Sequence, residues 1–220
     1  KFLSGMRYWK PMLQREELDL FEGYNLPFFK VPITKTIMTI HDVRGLNDEY
    51  SEYSGLQKYF FKKILRRSLV NADQVITVSE TIKKEILAYH PQCKVSVIYN
   101  GVDMKLFNQL KDYDLLSVHK KFNLPQKFIL GVGHFEKRKN YIRLIEAFNI
   151  LHKRGFGFSM ILIGSNNNHT REIEDKIESL KLSSYVKILF GLSDFEVRCA
   201  YKLSSLFVFP SIYEGFGIPI

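Results

Sequence analysis

Residues Phe128–Gly164 read FILGVGHFEKRKNYIRLIEAFNILHKRGFGFSMILIG, and this stretch decides the fold class. It opens with an apolar run, Phe128–Leu130, that ends at Gly131-Val132-Gly133. A basic loop, Glu136-Lys137-Arg138-Lys139-Asn140, follows. Beyond it, apolar residues at Leu144, Ile145, Phe148 and Leu151 recur with the spacing of one helical face. Asn140 stands where a helix Tyr141–Arg154 needs its cap, and Gly155 where that helix needs its stop. A second apolar run, Met160–Ile163, ends at Gly164. Continuous rather than alternating apolar runs, joined by a helix, predict parallel strands covered on both faces.

The same rhythm extends in both directions. Strand-length runs stand at Thr36–Ile40 before His41-Asp42, at Gln74–Val78 before Ser79 and at Val95–Tyr99 before Asn100-Gly101. Two more follow, Val186–Phe190 before Gly191 and Leu206–Phe209 before Pro210-Ser211. Helices are predicted over Leu56–Val70 and from a Ser79 cap to about Ala88. Another is expected from the capping box Ser193-Asp194-Phe195-Glu196 through Tyr201. Alternating strand and helix means α/β with mostly parallel sheets. The polar segment Met104–Gln126 interrupts the alternation, carries a short helix-like piece at Asp114–Phe122 and ends at Leu124-Pro125. It divides the chain into a unit over 1–108, a linker over 109–126 and a unit over 127–220.

A chain of 220 residues with 45% hydrophobic and 25% charged residues is globular, not disordered. No apolar run approaches the roughly 18–20 residues of a membrane span. The formal charge is +9, spread over both halves: 19 basic against 14 acidic residues through Phe122, and 13 against 9 after it. A nucleic acid, an anionic membrane or a phosphate-rich substrate would each suit this charge, as would a merely basic protein. Neither a recognition helix nor a stacking platform is evident, so no nucleic-acid partner is expected. Lys58, Lys62, Lys63, Arg66 and Arg67 read first as a solvated helix face and second as a patch for anionic lipid. The two cysteines, Cys93 and Cys199, lack CxxC spacing, which argues against a disulfide scaffold or zinc site and for a reducing compartment. With no initiator Met, no signal-peptide pattern and an abrupt end at Pro219-Ile220, the sequence reads as a piece of a longer protein.

In doubly wound sheets ligands bind beyond the carboxyl ends of the strands. Here those ends carry His41-Asp42, Gly131-Val132-Gly133, Gly164-Ser165, Gly191 and Ser211-Ile212-Tyr213-Glu214-Gly215. Gly131-Val132-Gly133 opens like a dinucleotide fingerprint, but Glu136 replaces the third glycine and no acidic residue follows Gly164, so an NAD site is disfavoured. No phosphate-binding P-loop motif is present. Asp112-Tyr113-Asp114 has the Asp-x-Asp form used for metals, yet it lies outside the strand ends, and Asp114 reads as a helix cap. The loop Gly133-His134-Phe135-Glu136-Lys137-Arg138-Lys139-Asn140, running into a helix, suits a phosphate or diphosphate. In Pro210-Ser211-Ile212-Tyr213-Glu214-Gly215-Phe216-Gly217-Ile218-Pro219, a carboxylate in a glycine-rich turn can accept bonds from hydroxyls while neighbouring amides face an oxyanion.

Taken in order, these motifs resemble the GT-B glycosyltransferases of family 4. The resemblance covers Thr39–Asp42, Ala72–Glu80, Val97–Asp103, Gly131–Asn140 and Pro210–Gly217, and so runs from about Asp19 to Ile220. It implies two Rossmann-like, doubly wound parallel-sheet domains facing a cleft, both incomplete in this chain. It further implies a retaining, metal-independent hexosyltransferase without a cofactor, acting in polysaccharide or glycolipid synthesis. The donor would be a nucleotide sugar, leaning to GDP-mannose, and the acceptor a saccharide or a lipid-linked saccharide. A cytoplasmic location, with peripheral membrane contact as the accompanying reading, fits that chemistry.

By position, Lys139 would bind the donor diphosphate, Glu214 would hold hydroxyls of the donor sugar, and His41 would reach the reaction centre. Gly133, His134, Gly164, Gly191, Gly215, Phe216, Gly217 and Ile218 would line the donor. His134 stands where relatives carry an arginine, so Arg138 is the expected substitute. The second glutamate of the family's paired motif would fall eight positions after Glu214, beyond Ile220. Other readings are a nucleotide-sugar epimerase or a phosphorylase of the same fold, and a non-catalytic basic binding module.

Overall fold

In a computed structural model the described residues are 18–24, 26, 28, 30, 34–47, 51, 53–167 and 169–219. They fall into two units: residues up to Gly101 together with Glu214–Gly217, and Val102–Tyr213 with residues from Ile218.

The first unit holds a parallel sheet in the order β1 (Leu20–Tyr24), β2 (Lys35–Ile40), β3 (Gln74–Thr77) and β4 (Val95–Val97). Between β2 and β3 runs α1 (Gly55–Asn71), and between β3 and β4 runs α2 (Glu80–Tyr89). Helix α1 starts at a capping box of Ser54 and Gln57 that the hydrophobic pattern does not announce. Ser79 caps α2 as expected. Met38, Ile40, Leu65, Val75, Ile82 and Ile86 are buried. Thr36, fully buried in β2, satisfies its hydroxyl by donating to Asp73 Oδ2 at 2.7 Å. That bond holds the Asp73 carboxyl below its ordinary range.

The second unit begins with a short helix α3 (Lys105–Asn108) and α4 (Asp112–Lys121). Its parallel sheet has the order β7-β6-β5-β8, with β5 Phe128–Val132, β6 Ser159–Gly164, β7 Val186–Phe190 and β8 Leu206–Phe207. The crossovers carry α5 (Tyr141–Lys153), α6 (Thr170–Ser179) and α7 (Asp194–Leu203). Alternate strand residues feed two cores. Ile129, Met160 and Leu162 pack with Tyr141, Ile145 and Phe148 of α5 and Ile173 and Ile177 of α6. Phe128, Leu130, Ile161 and Ile163 pack on the other face with Val118 of α4 and Cys199 and Ala200 of α7. Burial on both faces is why these strands read as unbroken apolar runs.

Three expectations change. Residues 109–126, expected as a linker, form α4 and its exit, and Val118 and Leu124 are buried in the second core. Lys111, not Asp114, is the N-cap residue of α4. Asp114 sits in the first turn, where its carboxylate accepts the Lys111 amide at 3.0 Å. Asn140 precedes α5 in the left-handed conformation, φ 61°, and makes no side-chain cap, because its amide is turned to the Pro210 carbonyl.

Candidate active site

Each sheet presents its special residues at the carboxyl edge. In the second unit parallel pairing in the order β7-β6-β5-β8 lines up Gly191, Gly164, Gly133 and the chain leaving β8 along one edge. The Gly133 amide donates to the Ile163 carbonyl at 2.9 Å, which carries the β5–β6 ladder up to the turn. The two chains then approach so closely that a side-chain carbon at Gly164 would lie 2.4 Å from the Gly133 carbonyl oxygen. His134 and Ser165, one residue further along each chain, meet at 2.6 Å between Nδ1 and Oγ. Phe135 is fully buried and packs edge-on against Tyr141 and Phe190, with ring centroids 5.3 and 5.8 Å apart. It anchors the loop from below while His134 stays exposed.

Lys139 is the notable side chain of this edge, because it is 7% exposed. Its ammonium lies 4.8 Å from the centre of the Phe209 ring, and its stem passes beside Gly133, where a side-chain carbon would come within 3.5 Å of it. A cation over a desolvated aromatic face is worth roughly 1–2 kcal/mol, enough to help hold a lysine in a buried position. Lys139 ends a single 3-10 turn, Lys137–Lys139, directly before α5. Arg138, expected to stand in for the family's arginine, makes an ion pair with Glu136 at 2.7 Å and donates from Nη1 to the Tyr213 carbonyl at 3.2 Å.

In the first unit His41 follows β2, and Ser79 follows the neighbouring β3, whose Thr77 pairs with Ile40. The turn Glu214–Gly217 belongs to this unit. A side-chain carbon on Gly215 would lie 1.9 Å from the His41 carbonyl oxygen, so only glycine fits there. Ser79 uses its hydroxyl twice, accepting the Ile82 amide at 3.3 Å and donating to the Gly215 carbonyl. That second bond is 2.6 Å long. Phe216 packs near Tyr99, with centroids 5.9 Å apart.

The structure therefore brings together Gly133, His134, Arg138, Lys139, Gly164 and Gly191 at one sheet edge, and His41 with Glu214, Gly215, Phe216 and Gly217 in the other unit. Ile218 returns to the second unit and is 54% exposed. Ser165, already noted at its strand end, completes the edge together with Phe209 and Tyr141, which were not singled out by the sequence. Their one signal was position: Phe209 ends the run before Pro210, and Tyr141 opens a helix.

Comparison with known proteins agrees with both halves. A family model described as "Glycosyltransferase Family 4" matches residues 2–106, and one described as "Glycosyl transferases group 1" matches residues 112–220. The O-antigen chain mannosyltransferase RfbU of Salmonella typhimurium is 29% identical over 83% of this chain and 47% of its own length. Sucrose-phosphate synthase from Thermosynechococcus elongatus superposes with a TM-score of 0.76 at 19% identity, over 98% of this chain and 56% of that one. Anabaena Alr3699/HepE, solved in complex with UDP and glucose, gives 0.69 at 20% identity, over 85% and 49%. The chain spans between about a quarter and a half of the curated relatives it matches. It belongs to the family 4, group 1 glycosyltransferases, and its two parallel-sheet, Rossmann-like units are those of the GT-B fold.

Proposed function

We propose that the protein transfers a hexose from a nucleoside-diphosphate sugar to a saccharide or lipid-linked acceptor in polysaccharide or glycolipid synthesis, with retention at C1. The observation that carries this reading is the buried Lys139, held beside the Gly133 turn at the carboxyl edge of the second sheet. In the transfer the bond from C1 to the diphosphate oxygen breaks, and the acceptor hydroxyl oxygen bonds to C1 on the same face. The acceptor proton passes to the departing phosphate. Negative charge grows on the diphosphate, and a fixed ammonium in a water-poor site opposes it without reorganisation. A metal is not needed for that neutralisation. Glu214 accepts bonds from hydroxyls of the donor sugar, and His41 is assigned to the reaction centre.

GDP-mannose is the favoured donor, supported by the mannosyltransferase name of RfbU. The UDP and glucose held by HepE make a UDP-sugar the chief competitor. The acceptor side draws on helix α1, which holds Lys58, Lys62, Lys63, Arg66 and Arg67 and no acidic residue. Leu56, Tyr59, Phe60 and Val70 are exposed on it, and together with Lys63, Arg66 and Arg67, which lie between Phe60 and Val70, they fall on the three- and four-residue steps of one helix face. An apolar, aromatic and basic stripe of this kind suits the surface of an anionic membrane, at its cytoplasmic face, where a lipid-linked acceptor is presented.

The test is a thermal-shift panel with GDP, UDP, ADP, dTDP and NAD, each in large excess. A ligand at about 100 times its Kd stabilises by roughly 2.7 kcal/mol, a shift of several degrees. A response to one nucleoside diphosphate alone supports the reading and names the donor base. A response to NAD alone, or to none, overturns it.

A further inference from the structure

Sheet pairing of β8 covers only Leu206 and Phe207, and its last ladder bond runs from the Val208 amide to the Leu130 carbonyl at 2.8 Å. The chain then runs on to Tyr213, which is buried, with no strand beside it among the described residues. Backbone groups that leave a sheet need new partners, and here the loop 136–140 supplies them. The Ile212 amide donates to the Arg138 carbonyl at 2.8 Å, Arg138 Nη1 to the Tyr213 carbonyl at 3.2 Å, and Asn140 Nδ2 to the Pro210 carbonyl at 3.2 Å. Arg138 is in turn held by Glu136, Nε to Oε2 at 2.7 Å, with side chains 14% and 25% exposed.

We propose that Arg138 is a positioning residue: as a strut between Glu136 and Tyr213 it fixes the backbone from which Glu214 directly follows, and it is not a ligand of the donor phosphate. The inference rests on the transferase reading above. Its physical ground is the cost of the alternative. Swinging the guanidinium towards a ligand would break both its half-buried ion pair with Glu136 and its bond to the Tyr213 carbonyl. Glu136 also offsets the charge of Arg138, which weakens its pull on a phosphate while leaving the strut intact.

The test compares Arg138→Gln, Glu136→Gln and Asn140→Gly with the wild type. Asn140→Gly keeps the left-handed backbone and removes only the bond to Pro210, so one strut can be lost without risk to the fold. Hydrogen exchange reads the Ile212 amide, calorimetry reads GDP or UDP binding, and steady-state rates separate kcat from KM. For Arg138→Gln and Glu136→Gln we expect exchange at Ile212 to quicken by about tenfold or more. Nucleotide Kd should stay within about twofold, and kcat should fall by about tenfold or more with donor KM unchanged. Asn140→Gly should give the same pattern at smaller amplitude. Two results overturn the strut: unchanged exchange at Ile212, or a nucleotide affinity that falls about tenfold in Arg138→Gln while Glu136→Gln leaves it intact or improved. A wild type that neither binds a nucleoside diphosphate nor transfers sugar is a failure of the transferase reading instead, and the exchange data still judge the strut.

Discussion

Replacing Gly164 by alanine adds one methyl group at the point where β5 and β6 come closest. The new carbon would lie 2.4 Å from the Gly133 carbonyl oxygen and 2.8 Å from the Phe135 ring, whereas real side-chain carbons essentially never come within 3.0 Å. The Gly133 oxygen is backbone and Phe135 is fully buried, so neither can swing aside, and the two chains must part by at least 0.6 Å. Overpacking of this kind costs about 1–3 kcal/mol. Stretching the 2.9 Å bond from the Gly133 amide to Ile163 adds part of another kcal/mol. The sum, about 1.5–4 kcal/mol, corresponds to a fall in Tm of roughly 3–15 °C for a chain of this size. The displaced atoms belong to the Gly133 turn, so nucleoside-diphosphate affinity should fall as well, by about tenfold or more. Gly157→Ala is the control, since nothing stands within 4 Å of a carbon there. Calorimetric melting and nucleotide titration of both variants decide the matter. A Gly164→Ala protein that melts and binds like Gly157→Ala would refute the close approach and the place proposed for this turn beside the donor.

Three further outcomes follow from the same geometry. Lys139→Ala should slow sugar transfer by about 10²–10³-fold, the loss seen when one donor to a developing oxyanion is removed, and Glu214→Ala should also slow it, with far-ultraviolet circular dichroism unchanged in both. Full turnover in the two variants removes the site assignment. Glu196 accepts from Lys121 Nζ at 2.6 Å and from the Ser193 amide at 2.7 Å, and these bonds lower its carboxyl from 4.5 to about 2. A depressed folded-state value stabilises fully above the ordinary range near 4.5 and is lost as pH falls towards about 2. Because Lys121 is largely exposed, Glu196→Gln should cost only about 1 kcal/mol at neutral pH and nothing at the acid limit, read from urea melts across pH. Reversing α1 with Lys63→Glu and Arg67→Glu should abolish sedimentation with phosphatidylglycerol vesicles at low salt and leave nucleotide binding alone. Equal sedimentation of the variant would sink the lipid face.

Much of the fold is legible in the sequence. The strand runs at 36–40, 74–78, 128–130, 160–163, 186–190 and 206–209 each coincide with a strand to within a few residues, most plainly at the central β5 and β6, where burial on both faces leaves unbroken apolar runs. Ser79 and the Ser193–Glu196 box cap their helices as read, since a cap is settled within four residues. Among the described residues β1, α6 and the one-turn helix α3 escaped. Strand β1, Leu20–Tyr24, lies at the sheet edge with alternating exposure and a glycine in it, and so shows no apolar run. Helix α6, Thr170–Ser179, buries only Thr170, Ile173 and Ile177 in a strongly charged segment.

The sequence by itself determined most of the elements, their parallel sense, and the residue types gathered where strands end, all consequences of local periodicity and capping. Only the tertiary structure decided what those residues touch. Asn140 looks like a helix cap in sequence and becomes a tie to Pro210, seventy residues away. Arg138 looks like a phosphate ligand and spends two donors on Glu136 and the Tyr213 carbonyl. Gly164 reads in sequence as a strand end expected to line the donor, and only the fold shows that the Gly133 oxygen lies against it and leaves no room for a side chain. Which backbone atom stands opposite a side chain depends on the order β7-β6-β5-β8, and that order is settled by packing between segments distant in the chain.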